Sequence, residues 1–145
     1  MVEFGTQVEL SLRLLIAALL GLAIGFEREI HGHPAGLRTH MLVAMGSALF
    51  VLAPLQAGID PGDVTRVMQG IVSGIGFLGA GAIIKLNQGE RVEGLTTAAG
   101  IWMTSAIGMA AGMGLEIAAL LTTLLALAVF ATIPALLRND EPPDR

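Results

Sequence analysis

The feature that most constrains this chain is the length and spacing of its apolar stretches. Five of them are each about as long as a helix must be to cross the ~30 Å hydrocarbon core of a bilayer. They run from about Leu10 to Phe26, Met41 to Ala57, Val67 to Ile84, Leu95 to Met113 and Leu115 to Leu137. Hydrophobic residues make up 54% of the chain and charged residues 14%, and the mean hydropathy is +0.75. The sequence therefore predicts an all-α integral membrane protein, a multi-pass bundle of about five transmembrane helices.

The basic residues are distributed unevenly around these stretches. Arg13 and Arg66 lie on one side, and the other six Lys and Arg residues lie on the opposite side. Because basic residues concentrate in cytoplasmic loops, we expect the N-terminus outside and the C-terminus inside the cell. Residues 1–138 then form the transmembrane domain, and residues 139–145 form a short disordered cytoplasmic tail. No basic stripe is present that would bind nucleic acid.

Two charged residues fall within the apolar stretches. Arg13 follows Glu9 by one helical turn, and its long side chain can reach the membrane interface, which favours an anchor over a transport-pathway charge. Glu116 begins the fifth stretch, where a carboxylate suits the positive end of the helix dipole. We therefore interpret both charges as structural.

A weak internal repeat appears when the chain is compared with itself at an offset of 58 residues. Eight of 29 ungapped positions are then identical, including the Gly36-Leu37 and Gly94-Leu95 pairs and the serines 47 and 105. The repeat relates the first two helices to the next two in the same orientation, the parallel type found in some transporters. It also predicts that Thr39 and Thr97 cap the N-termini of the second and fourth helices.

The third stretch is unusually rich in glycine. Its glycines are Gly70, Gly74, Gly76, Gly79 and Gly81. The dinucleotide-like pattern GxGxxG within it is not a nucleotide site, because that motif must follow a strand and open a helix in a βαβ unit. Small residues allow helices to approach closely in lipid, so this helix is expected at the bundle centre or at a subunit contact. The alternative is a helix that unwinds to line an ion site.

Polar residues are concentrated at the predicted cytoplasmic ends of the helices. We call this set the polar cluster: Glu27, Arg28, Glu29, Arg38, Thr39, His40, Glu93, Thr96 and Thr97. Ion pairs that fix helix register are one reading of it, and a magnesium site formed by Glu27, Glu29 and Glu93 is the other, since Mg²⁺ prefers oxygen ligands. No catalytic motif is present, so we expect neither an enzyme nor an organic cofactor, and Mg²⁺ is the one candidate ion.

Four ordered blocks of sequence carry a resemblance to a known family. They are Gly21 to Glu29, Ala35 to His40, Val72 to Gly81 and Gly94 to Trp102. Together they resemble the membrane domain of the MgtC/SapB family. The resemblance implies a bacterial inner-membrane protein linked to magnesium homeostasis, low-magnesium adaptation and virulence. It also identifies the chain as a short member without the ACT-like C-terminal domain. Thr96 and Met103 replace an amide and a cysteine of the best-known member, so properties of those side chains do not carry over.

Three functions remain open at this point. The first is a regulator of a membrane partner, for which the resemblance implies the proton-translocating ATP synthase or a magnesium-pumping ATPase. The second is a transporter or channel for magnesium or another ion. The third is binding of an anionic ligand or lipid headgroup by Arg28 and Arg38 at the helix N-termini. Membrane lipid surrounds the protein in each case, and we expect a homo-oligomer, with a dimer as the working assumption.

Overall fold

The computed structural model describes residues 4–85 and 92–138, with side-chain surroundings for residues 6–83 and 92–132. Its helices are α1 (Phe4–Ile30), α2 (Leu37–Gln56), α3 (Pro61–Ala82), α4 (Leu95–Gly112) and α5 (Glu116–Arg138). Each predicted stretch corresponds to one helix, so the five-helix architecture is confirmed. The loop expected between α3 and α4 contains a small antiparallel hairpin of β1 (Ile84–Lys85) and β2 (Val92–Glu93). The predicted tail at residues 139–145 lies outside the described residues.

Two of the described helices are long and apolar enough to cross a membrane. They are the part of α1 from Thr6 to Ile30 and the whole of α2, and an apolar part of α5, Glu116–Thr132, is shorter. Helices α3 and α4 are rich in glycine and hydroxyl side chains, which lowers their hydropathy. Membrane-type helices are thus present, while five crossings and the orientation of the bundle stay predictions.

The centre of the bundle is occupied by α4. It contacts each of the other four helices, and ten of its 18 residues are buried. Helix α3 makes its main helix contacts with α4 and α2, and its described buried residues are Val64, Ile75 and Gly79. A central position for the glycine-rich third helix is therefore wrong within one chain, because α4 fills that position.

Close backbone packing joins α4 to α2. A Cβ atom added to Gly112 would stand 2.6 Å from the carbonyl oxygen of Ala48, and one added to Gly108 would overlap the backbone of Ala44. Helix α1 approaches the start of α2 in the same way, at Gly21. Glycine at these positions permits contacts between backbones that any side chain would prevent.

The helix contacts follow the pattern that the predicted parallel repeat would produce. Helices α1 and α2 pack as a pair, as do α3 and α4, and the pairs join through α2 and α4. A Cβ on Gly21 would meet the His40 backbone, and one on Gly79 would meet Ala98 at 3.7 Å. These two contacts are related by the 58-residue offset. The hydroxyls of Ser47 and Ser105, also 58 residues apart, hydrogen bond to each other at 2.7 Å, as residues on a pseudo-two-fold axis between α2 and α4 would.

Candidate functional site

The polar cluster is built around the point where α1 ends and α2 and α4 begin. Gly36 and Gly94 are the N-cap residues of α2 and α4, and neither residue makes a side-chain capping hydrogen bond. The predicted capping by Thr39 and Thr97 is therefore wrong, because both threonines lie in the first turn inside the helix. The carboxylate of Glu29 on α1 instead accepts a hydrogen bond from the Leu37 backbone N–H at 2.7 Å.

Arg28 is the most deeply buried charge of the cluster. Its side chain is 3% exposed, and the guanidinium lies 4.4 Å from the centre of the Phe130 ring on α5. Its Nη1 atom is 3.6 Å from Oε2 of Glu27. Within the described residues, Nε and Nη2 of Arg28 have no hydrogen-bond partner. A buried charge with so few partners is costly, and in membrane helices such charges usually mark function.

Glu27 is held by its neighbours on the same helix turn. Its Oε1 atom is 3.1 Å from Nδ1 of His31, while Oε2 faces Arg28. The side chain of Glu27 is 13% exposed. Among the described residues, Oε2 has no hydrogen-bond partner, so the contacts of this carboxylate within the chain are an ion pair with Arg28 and an approach to His31.

His40 and Thr104 form a buried hydrogen-bonded pair between α2 and α4. Nδ1 of His40 is 2.7 Å from the Thr104 hydroxyl, which donates to the carbonyl oxygen of Gly100 at 2.9 Å. The threonine hydroxyl has one proton, so it accepts from Nδ1 of His40 when it donates to Gly100, and it donates to Nδ1 in the other imidazole tautomer. Thr97 is also buried, one turn before Gly100.

The exposed part of the cluster surrounds a polar pocket of about 400 Å³ at the start of α2. Glu29, His33, Arg38 and Thr39 are among its lining residues. Partial burial lowers the pKa of His33 below its usual value, and the nearby Arg28 charge lowers it further. At neutral pH His33 is therefore uncharged, and Arg38 supplies the exposed positive charge of the pocket.

The structure does not bring the three predicted magnesium ligands together. Glu27 is paired, Glu29 caps α2, and Glu93 is exposed on β2. No group of three or more His, Cys, Asp or Glu residues suited to a metal ion occurs among the described residues. Thr96, the other predicted residue near β2, is exposed at the start of α4. A magnesium site stays a prediction, and in this arrangement it would bind a hydrated ion through few direct ligands.

The glycines of α3 are placed differently from those of α4. Only Gly79 contacts another helix, at Ala98. A Cβ added to Gly70, Gly74, Gly76 or Gly81 would meet no atom within 4 Å of the chain as described. Four of the five predicted packing glycines therefore face open space in the single chain, and a subunit contact stays a prediction for them.

A second ionic cluster lies at the opposite end of the bundle. Arg13 pairs with Glu9, its Nε atom is 3.9 Å from Glu116, and Nη1 donates to the Gly112 carbonyl at the end of α4. Arg13 and Glu116, interpreted separately from the sequence, thus act together to join α1, α4 and α5.

The order of these features along the chain matches one family. A model of the MgtC family matches residues 14–139, a range that contains the polar cluster, most of α1 and the whole of α2 to α5. The chain belongs to the MgtC family. This confirms the resemblance carried by the four sequence blocks.

Several relatives within the MgtC family are close in sequence. SrpB of Synechococcus elongatus is 49% identical over 122 residues, covering 77% of this chain and 67% of SrpB. YhiD of Escherichia coli K12, whose name proposes it as a magnesium transporter, is 45% identical over 144 residues, covering 90% of this chain and 65% of YhiD. MgtC of Brucella abortus is 47% identical over 122 residues, covering 84% of this chain and 50% of that protein.

The chain spans about half to two thirds of the length of these relatives. No solved structure matches it. The MgtC-family match thus covers the helical region described above.

Three residues that contact Arg28, His40 or Ser47 were not predicted from the sequence. Thr104 and Phe130 come from α4 and α5, far along the chain from Arg28 and His40, and no local pattern connects them. Ser105 could have been found, because the predicted repeat aligns it with Ser47, and the two hydroxyls lie 2.7 Å apart between α2 and α4.

Proposed function

We propose that this MgtC-family protein is a multi-pass protein of the bacterial inner membrane that regulates a membrane partner during adaptation to low magnesium, and that it does not itself carry magnesium. The observation that supports this proposal most directly is the use of the carboxylates. Glu27 and Glu29 make their contacts within the chain, and a carrier needs carboxylates free to take up and release its ion.

The interior of the bundle supports the same proposal. Between α2 and α4 the packing is backbone against backbone at Gly108 and Gly112, and the buried hydroxyls of Ser47 and Ser105 satisfy each other. This closely packed interface between α2 and α4 offers no water-filled route for a hydrated cation among the described residues. Binding of a partner needs only a surface, and the pocket beside Arg38 is an exposed polar surface.

The proposed partner is the one that the resemblance implies, either the proton-translocating ATP synthase or a magnesium-pumping ATPase. The experiment substitutes Arg38→Ala, with Arg66→Ala at the opposite end of the bundle as the matched control, since Arg66 is 81% exposed. We expect Arg38→Ala to insert normally yet fail to restore growth of a null strain in low magnesium, whereas Arg66→Ala restores it. Full complementation by Arg38→Ala would contradict a role for this surface.

Magnesium transport is the second candidate, favoured by the name of YhiD and by the carboxylates at one end of the bundle. Purified protein in sealed liposomes with an internal magnesium dye tests it, with equal incorporation confirmed on gels. We expect uptake no faster than in empty liposomes for both wild type and Glu27→Gln. Saturable uptake that Glu27→Gln abolishes would establish the carrier instead.

A further inference from the structure

The chain contains three histidines, and two of them lie in the turn between α1 and α2. These two are His31 and His33, which flank Gly32. The third, His40, is buried and bonded to Thr104. Neutral imidazole nitrogen is a preferred protein ligand of Zn²⁺ and the neighbouring transition-metal ions. The turn therefore holds both of the imidazoles that lie outside the buried interior of the bundle.

The backbone of this turn fixes where the two histidines lie. The N–H of His33 donates to the Arg28 carbonyl at 3.0 Å, and the N–H of Gly32 donates to the Glu29 carbonyl at 3.0 Å. Gly32 has a positive φ of 73°, and the two bonds together form the Schellman motif that ends a helix. In this motif the residue after the glycine folds back toward the last turn of the helix. His33 and His31 thus lie together at the end of α1.

The imidazole ring of His31 is held in one orientation. Its Nδ1 atom lies 2.8 Å from the Glu27 carbonyl oxygen and 3.1 Å from Oε1 of the Glu27 carboxylate. A carbonyl oxygen can only accept a hydrogen bond, so Nδ1 carries the proton and Nε2 of the neutral ring has a free lone pair. The side chain is 57% exposed, and Nε2 lies on the far side of the ring from the helix. Metal-binding histidines are usually oriented in this way, by a carbonyl or carboxylate at the other ring nitrogen.

A second imidazole lies next to this one. His33 lines the polar pocket at the start of α2, together with Glu29 and Arg38. Because Cα atoms two residues apart are separated by at most about 7 Å, side-chain rotation can direct nitrogens of His31 and His33 to one ion at Zn–N distances of about 2.0–2.1 Å.

We propose that His31 and His33 bind a transition-metal cation of the Zn²⁺ class at the end of α1, with water completing its coordination. Glu27 is a positioning residue in this site, since it orients His31 without contacting the ion. The site favours Zn²⁺ over Mg²⁺, because a hard cation gains little from uncharged nitrogen ligands.

The charges around the turn permit a bound cation. The carboxylates of Glu27 and Glu29 balance the guanidinium groups of Arg28 and Arg38, so no excess positive charge opposes binding. An ion held by His33 would add positive charge to the pocket that contains Arg38. The site goes beyond the proposed regulation of a membrane partner and does not depend on it, because metal binding is measured on the purified protein alone.

Titration of the purified protein with Zn²⁺, in competition with a fluorescent zinc indicator, tests the site. The protein carries an affinity tag without histidine. We expect one Zn²⁺ per chain, bound equally well in excess Mg²⁺. His31→Asn can still donate to the Glu27 carbonyl but lacks Nε2, and this variant and His33→Asn should each weaken binding at least about tenfold. Asp63→Asn, an exposed carboxylate at the opposite end of the bundle, is the control and should bind like wild type.

The positioning role of Glu27 has its own measurement. Glu27→Gln should weaken Zn²⁺ binding about tenfold, with thermal unfolding confirming that the variant is folded. Nitrogen NMR of wild-type protein with labelled histidine should show Zn²⁺ shifting Nε2 of His31 while Nδ1 keeps its proton. Absence of Zn²⁺ binding, equal binding by the His31→Asn, His33→Asn double variant, or displacement by Mg²⁺ would overturn the site. Unchanged affinity in Glu27→Gln would overturn the role of Glu27.

Discussion

Helices α3 and α4 are both rich in glycine, yet they use it in opposite ways. On α4, Gly108 and Gly112 bring the backbone against that of α2. On α3, four glycines face open space. The difference arises from the neighbours, because α4 packs against all four other helices and α3 packs mainly against α2 and α4. Glycine in a membrane-type helix therefore permits a close approach without showing that one occurs.

The largest effect is expected where the α4 backbone is most tightly packed. Gly108→Leu would force α2 and α4 apart at Ala44, at a cost of more than about 3 kcal/mol. We expect little or no folded protein in detergent, measured by thermal unfolding followed by circular dichroism. Gly76→Leu, which meets no atom, is the control and should unfold like wild type. If the Gly108→Leu protein folded normally, the glycines of α4 would be no more important for packing than those of α3, which would contradict the comparison.

An intermediate effect should distinguish the two halves of the repeat. Gly21→Ala would place a Cβ 2.6 Å from the His40 carbonyl oxygen and is expected to cost about 1–3 kcal/mol. Gly79→Ala, at the equivalent position, finds 3.7 Å to Ala98. It should leave stability unchanged or raise it by up to about 1 kcal/mol, because alanine is the better helix former. Equal destabilisation by the two changes would mean that the halves pack alike.

The smallest effect concerns a single hydroxyl of the central helix. Thr104→Val leaves Nδ1 of the buried His40 without its hydrogen-bond partner, which should cost about 1–2 kcal/mol. Thr132→Val on α5 removes a hydroxyl that bonds only to its own helix at an exposed position, so it should have almost no effect. Denaturant unfolding of both variants checks the difference, and equal stabilities would show that the buried pair contributes nothing.

Helix number and approximate bounds could be predicted from the sequence because apolar stretches of membrane length have few alternative structures. The predicted first stretch began at Leu10 and the helix begins at Phe4, since polar residues extend a helix beyond the apolar part. The role of α4 could not be predicted. Its central position depends on how the helices pair, which hydropathy does not encode.

The site was predicted in part. The sequence predicted a polar cluster that includes Arg28, His40 and Thr97, but it could not separate these buried residues from the exposed Arg38 and Thr96. Burial at a helix end depends on which helix lies alongside. The Phe130 ring over Arg28 comes from a helix one hundred residues further on, and only tertiary packing reveals it.

The hydrogen bond between Ser47 and Ser105 illustrates which polar side chains suit the contact between two helices related by a repeat. If two equivalent positions face each other and carry the same side chain, that side chain must be able to hydrogen bond to an identical one. An ammonium group offers only protons and a carboxylate only lone pairs, and either would repel its twin. A hydroxyl can both donate and accept a hydrogen bond. Serine can therefore occupy both positions and still make the observed 2.7 Å hydrogen bond.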